Sequence, residues 1–192
     1  CLAHAGRPVD FAGVTVGVQG LGMTGYKLAK LIVDHGGMVI GTDVNPHAIH
    51  RASAELDIKV IGDDEDLFSM DLDILAPCAL GGVLGPEQID SMKASIVCGT
   101  SNNVLVDPNR DGQLMKDKGV VYAPDFIANA GGLIRLAGLY LGLTESEIDA
   151  KVEKIESTTR DVLDDTRNHA SAYEAGVTYA RARIDAGRKV EA

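Results

Sequence analysis

The chain is poor in cysteine. Cys1, Cys78 and Cys98 are odd in number and show no C-x-x-C spacing, which argues against a disulfide framework and agrees with a reducing compartment, so a cytoplasmic location is expected. No stretch approaches the roughly 18 consecutive apolar residues of a membrane-spanning helix. Asp10 and Gly13 interrupt any apolar core that a secretory signal would need. No Lys/Arg cluster is visible, and a net charge of -10 repels polyanions and anionic lipid surfaces. Neither nucleic acid nor membrane is an expected partner. The chain also has no initiator Met, and Leu2-Ala3-His4 reads as the continuation of a helix begun upstream, so a piece of something longer is expected. There is no internal repeat, low-complexity tract or linker.

What remains is an ordinary globular composition, 45% hydrophobic and 24% charged over 192 residues, enough for one domain with a substantial core. Strand and helix patterns alternate from residue 14 to about 122. Val14, Val16 and Val18 form a β-branched run ended by Gly20, and a helix follows with Leu28, Leu31 and Ile32 on one face and Gly36-Gly37 closing it. Met38–Thr42 is the second strand, and Pro46 opens a helix reaching about Leu56. Ile58–Ile61, Ile74–Ala76, Ile96–Cys98 and Val120–Tyr122 read as strands three to six, with helical pieces around Pro86–Met92 and Arg110–Lys118. Alternation of this kind predicts an α/β fold of the Rossmann type, a doubly wound parallel sheet of about six strands ordered 3-2-1-4-5-6. From Gly131 onward only helix is expected, over about 131–141, 145–167 and 173–187. The expected organisation is a single domain over 1–192, with a core at about 10–130 and a helical C-terminal extension.

Gly20-Leu21-Gly22-Met23-Thr24-Gly25 is a complete G-x-G-x-x-G that follows a Val-rich strand and opens a helix, the context that gives this pattern meaning as a dinucleotide fingerprint. Gly20 permits the tight turn, Gly22 lets the backbone approach a pyrophosphate, Gly25 lets helix and strand pack, and the helix N-terminus offers N–H groups to phosphate. Asp43, eighteen positions after Gly25, ends the second strand where a carboxylate accepts from ribose hydroxyls and repels a 2′-phosphate, favouring NAD over NADP. Its bland alternative is a cap for the helix at Pro46. Val44 and Asn45, not an arginine, follow it. Two further loops, Ala76–Gly82 and Gly99–Asn103, lie at carboxyl ends of strands. Cys78 has no identifiable base and reads as a small packing residue rather than a nucleophile. His47 and His50 lack a third ligand, and Asp63-Asp64-Glu65-Asp66 reads as a helix start and solvated face, so no metal site is expected. Tyr122 and Phe126 read as core or interface residues.

Three segments, Val18-Gln19-Gly20-Leu21-Gly22, Ala76-Pro77-Cys78-Ala79-Leu80-Gly81-Gly82 and Tyr122-Ala123-Pro124-Asp125-Phe126-Ile127-Ala128-Asn129-Ala130-Gly131-Gly132, resemble the C-terminal NAD-binding domain of the Glu/Leu/Phe/Val amino-acid dehydrogenases, nearer to the phenylalanine, leucine and valine branch. The resemblance covers about residues 8–187. It implies a cofactor-binding set of Gly20, Gly22, Met23, Thr24, Gly25, Asp43, Val44, Cys78, Ala79 and Asn103, with Asn129 near the nicotinamide and the substrate's amino group. Residues around Ala172–Val177 are implied to approach the substrate side chain. Met23-Thr24 stands where the family often has Asn-Val or Ala-Val, which backbone-mediated phosphate binding tolerates.

The family's N-terminal substrate domain, with its two lysines and aspartate, has no counterpart here, and Lys27, Lys30, Lys93 and Lys116 read as surface residues. No catalytic residue is therefore expected in this chain. The resemblance implies a parent enzyme that interconverts an L-amino acid with a 2-oxo acid and ammonia. Its implied partners are that small-molecule substrate, the substrate domain of the same polypeptide and further copies of itself in a homo-oligomer. Whether this chain alone is an enzyme stays open beside the alternative of a non-catalytic NAD-binding regulatory module. The Asn129–Gly132 loop argues against a third possibility, an adenosylhomocysteinase-like hydrolase.

Overall fold

In the computed structural model, which describes residues 1–62 and 65–188, the Val-rich run becomes the central strand. β1 (Thr15–Gln19) turns Val16 and Val18 toward one face and Gly17 toward the other, where an added side chain would collide with Leu72. β2 (Met38–Thr42), β3 (Lys59–Val60), β4 (Ile74–Pro77), β5 (Ile96–Val97) and β6 (Val121–Tyr122) join it in one parallel sheet ordered β3-β2-β1-β4-β5-β6. The Rossmann-type sheet expected from the alternation is present. β1 pairs with both β2 and β4, so the strand order reverses there and a crevice opens at the carboxyl ends.

The period-2 alternation of the strands divides the apolar residues into two cores. Val16, Val18, Ile74, Ala76 and Ile96 meet Ala29 and Ile32 of α1 (Met23–Asp34) and Ala52 of α2 (Pro46–Glu55). On the opposite face Leu75 and Val97 pack with Ile89 of α3 (Pro86–Ser91), Met115 of α4 (Pro108–Asp117), and Leu67 of a 3-10 turn at Leu67–Ser69. Beyond β6 come α5 (Asp125–Ala128), α6 (Gly131–Tyr140), α7 (Glu145–Asp165) and α8 (Ala172–Arg188). Leu163 and Ala172 tie the last two into the second core, while Ile127, Val162 and Ala175 form a third, smaller cluster. No described helix is long and apolar enough to cross a membrane.

Several expectations need correction. Leu31 is 57% exposed, because the buried face of α1 is centred on Gly25, Ala29 and Ile32 and Leu31 falls to its edge. Leu2-Ala3-His4 is not among these corrections: it lies in a turn closed by Gly6 at φ +70°, with the Ala5 N–H donating to the Cys1 carbonyl and the Arg7 N–H to the Leu2 carbonyl, the bonding with which helices end. β3, β5 and β6 are two residues each, because Ile58, Ile61, Cys98 and Val120 lie just outside the paired ladder. α5 was not expected; one turn is too short to carry a periodic signal. Asp63 and Asp64 fall outside the described residues, and Asp66 caps the 3-10 turn by accepting from the Phe68 N–H.

Asp111 of α4 has a fully buried side chain that accepts from Arg110 Nε at 2.7 Å, Arg110 Nη2 at 3.1 Å and the Asp107 N–H at 2.7 Å. Burial alone would raise its pKa, but the guanidinium and the N–H outweigh it and hold the carboxyl below the usual carboxylate range. A folded pKa below the unfolded one means stabilisation at neutral pH that fades as pH falls below about 4. Asp111→Ala is therefore expected to cost about 2 kcal/mol at pH 7. Denaturant melts at pH 7 and pH 3 should show the gap from wild type closing at the lower pH.

Candidate cofactor crevice

The turn after β1 is shaped by three glycines in three different ways. Gly20 has φ +95°, and a Cβ there would lie 2.8 Å from the Ala79 Cβ. A Cβ at Gly25 would enter the carbonyl oxygen of Gly20 and come within 3.1 Å of the Cys78 Cβ. Gly22 is the opposite case, with nothing within 4 Å of where its Cβ would be. α2, α4 and α7 begin with a side-chain cap from Asn45, Asp107 or Thr144, but α1 begins at Gly22 with no side-chain cap and no acidic residue in its first turn. Free N–H groups and a positive helix end thus face open space. That arrangement fits an anionic diphosphate.

Asp43 follows β2 and does not cap α2; Asn45 does, accepting from the His47 N–H at 3.0 Å. Asp43 instead accepts from the Leu21 N–H at 2.7 Å and the Asn45 N–H at 2.8 Å, which joins the glycine turn to the end of the neighbouring strand. Each carboxylate oxygen retains capacity for another donor. At this end of the crevice two apolar side chains stand in solvent, Met23, the first residue of α1, at 78% and Val44, after β2, at 96% exposure; Leu80, on the loop after β4, is 79% exposed.

The other end is built from the loops after β4, β5 and β6, which are joined by backbone contacts. Thr100 and Ser101 N–H groups both donate to the Pro77 carbonyl. Ser101 Oγ donates to the Ala79 carbonyl at 3.0 Å, and the Gly82 N–H donates to the Asn103 carbonyl at 2.7 Å. Glycine is required at 99 and 81, where a Cβ would strike the carbonyl oxygens of Pro77 and of Asn102 and Asn103. Asn103 sits in the left-handed region at φ 53°, which asparagine tolerates better than most residues. Buried Asp125 accepts from the Val104 N–H at 2.8 Å. Asn129 Nδ2 donates to the Ser101 carbonyl at 3.0 Å and to Asn102 Oδ1 at 2.7 Å.

Thr24 Oγ1 and Thr100 Oγ1 lie 3.1 Å apart, closing the gap between the start of α1 and the β5 loop. Beneath them burial pushes the Cys78 thiol up, against the lowering effect of its hydrogen bonds with Thr100, which suits a packing role and not a nucleophile. Among the described residues no group of His, Cys, Asp and Glu is arranged to hold a metal. Tyr122 is buried, while Phe126 is 37% exposed and packs edge-on against Tyr173 at 5.7 Å. An aliphatic cavity of about 360 Å³ between α1 and α7, reached by Val16, Leu28, Ile32, Ile74 and Ile155, lies away from the glycine turn.

The structure brings Gly20, Gly22, Met23, Thr24, Gly25, Asp43, Val44, Cys78, Ala79, Asn103 and Asn129 to the carboxyl edge of one sheet. Within Ala172–Val177, Ala172, Ala175 and Gly176 are buried in the helix packing. Sequence reasoning missed Arg51, which reaches from α2 to the Leu21 carbonyl at 3.1 Å, and Thr100. Nothing in the spacing marks Arg51; Thr100 lay within a loop already singled out.

Residues 44–191 match the family described as Glutamate/Leucine/Phenylalanine/Valine dehydrogenase. Leucine dehydrogenase of Geobacillus stearothermophilus is 35% identical over 178 residues, covering 92% of this chain and 48% of that protein. Valine dehydrogenase of Streptomyces virginiae is 36% identical over 181 residues, covering 93% and 49%. The chain thus spans about half the length of the curated relatives it matches. The crystal structure of L-tryptophan dehydrogenase from Nostoc punctiforme superposes with a TM-score of 0.91 at 30% identity, covering 98% of this chain and 56% of that one.

Proposed function

From the premise that this chain belongs to the Glutamate/Leucine/Phenylalanine/Valine dehydrogenase family, we infer that it is the NAD-binding domain of an amino-acid dehydrogenase. The parent enzyme would carry out reversible oxidative deamination of an L-amino acid to a 2-oxo acid and ammonia. The observation that carries the reading is the ordered crevice: an uncapped helix N-terminus beside an open Gly22, Asp43 to one side, Asn103 and Asn129 to the other. The turn and the first N–H groups of α1 would hold the diphosphate, and Asp43 the adenosine ribose, with Met23 and Val44 offering apolar surface near the base. Cys78, Ala79 and Asn103 would border the nicotinamide, and Asn129 would meet the substrate's amino group.

The nicotinamide supplies a hydride acceptor; this chain's part is to orient it and exclude water from one side of the cleft. Proton transfer belongs to lysines of a substrate domain on the same polypeptide, and the whole enzyme would assemble as a homo-oligomer. The likeness to leucine, valine and phenylalanine dehydrogenases supports a substrate of that apolar type. Three free thiols favour the cytoplasm.

Under this reading the purified chain binds NADH but does not deaminate leucine, valine or phenylalanine. Fluorescence titration with NADH, followed by an assay of NADH formation from each amino acid, tests both halves. Turnover by the chain alone would place proton-transfer groups within it, and an absence of NADH binding would remove the cofactor assignment.

A further inference from the structure

We propose that Arg51 is a positioning residue that holds the phosphate-binding turn in its receptive shape. The proposal rests on the reading of the crevice given above and adds a residue from another helix to it. Leu21 is the residue between the first two glycines, and it is pinned from three directions. Its N–H donates to Asp43 at 2.7 Å, its side chain is fully buried against Gly41, and its carbonyl accepts from Arg51 Nη2 at 3.1 Å. The same Nη2 lies 3.4 Å from the Gly22 carbonyl.

A turn that points its N–H groups at an anion must point carbonyls the other way, and those carbonyls need donors. Arg51 supplies the donor for the Leu21 carbonyl on the side of the turn that faces α2; the Gly22 carbonyl, which Arg51 also approaches, already accepts from the Tyr26 N–H at 3.1 Å. Core packing does not account for its placement, because the side chain is exposed. The guanidinium lies 4.2 Å from the centroid of the Tyr26 ring, and the Tyr26 hydroxyl donates to Glu55 Oε2 at 2.6 Å. Tyr26 is on the first turn of α1 and Glu55 is one turn beyond Arg51 on α2. The turn, the helix it opens and the helix after Asp43 are thereby closed into a ring of contacts. A planar, forked cation suits that ring, since it can stack on the tyrosine and donate to carbonyls at once; a lysine ammonium can do only part of this.

The test compares wild type, Arg51→Ala, Arg51→Lys and Tyr26→Phe in the same chain. Two readouts are taken: NADH and ADP-ribose affinity by titration, and amide hydrogen exchange of Leu21, Gly22 and Met23 without ligand. Arg51→Ala is expected to weaken NADH and ADP-ribose alike by about tenfold and to speed exchange in the turn, with little change in melting temperature. Arg51→Lys should fall between it and wild type. Tyr26→Phe keeps the ring and should stay near wild type. Unchanged affinity in Arg51→Ala overturns the proposal, as does faster exchange with no loss of affinity. Arg51→Lys behaving like Arg51→Ala, with melting temperature falling in both, also overturns it by reducing Arg51 to a general stability contact. Failure of wild type itself to bind NADH sinks the cofactor reading and this inference together, whereas wild-type binding with an indifferent Arg51 sinks only the latter.

Discussion

Gly25→Ala is expected to abolish detectable NADH binding and to destabilise the domain by about 3 kcal/mol, at the upper end for overpacking. The added methyl group would occupy the position of the Gly20 carbonyl oxygen and press on Cys78. Neither obstacle is the free end of a flexible side chain. The first is backbone of the phosphate turn itself, and the second belongs to the loop after β4, which is bonded through the Cys78 N–H to the Gln19 carbonyl. Relief requires α1 to lift from the sheet, which withdraws its N-terminus from the crevice and exposes Ala29 and Ile32, both buried. Gly22→Ala is the internal control. Its Cβ meets nothing, so the fold should melt as wild type does, and any loss of affinity reports the space above the turn. Denaturant melts and NADH titrations of both variants check the contrast; a Gly25→Ala protein that folds and binds normally would refute the close approach of helix and strand.

Asp43→Ala is expected to lower discrimination between NAD and NADP by about five- to 150-fold, or 1–3 kcal/mol, for the loss of charge-assisted hydrogen bonds and of repulsion toward a 2′-phosphate. The structure adds a second consequence. Because Asp43 also accepts from the Leu21 and Asn45 N–H groups, alanine leaves those donors without their partner, and affinity for both cofactors should fall. Asp43→Asn keeps an acceptor for one of them while removing the charge, so it should lose discrimination with a smaller loss of NAD affinity. Calorimetric titration of both cofactors against the three proteins separates the two effects. Tighter binding of NADP than NAD by wild type would refute the role given to this carboxylate.

The parts of this architecture that were legible in sequence are those governed by neighbours in the chain. The Val-rich strand, the glycine turn and the Pro46 helix start follow from period-2 alternation, from the need for positive φ at Gly20, and from the preset φ of proline. The place of Asp43 beside the turn was legible because its distance along the chain is set by one helix and one strand. Leu31 was misjudged because i, i+3 spacing marks a helix face but not which part of that face meets the sheet. Arg51 was invisible because its meaning depends on two carbonyls thirty positions earlier, and carbonyls carry no sequence signal. The same holds for the β4 and β5 loops: their glycines were noticed, but the reason for Gly81 and Gly99 is the backbone of a different loop pressed against each.

The unequal construction of the two ends has an evolutionary corollary. Where Met23 and Val44 stand bare, residue changes disturb no neighbour, so under the cofactor orientation proposed above preference at the adenosine end is free to drift. Where amides and carbonyls of three loops are stitched to one another, almost any new side chain breaks a seam. Under that orientation, lineages sharing this scaffold should vary most around the sugar and least beneath the nicotinamide.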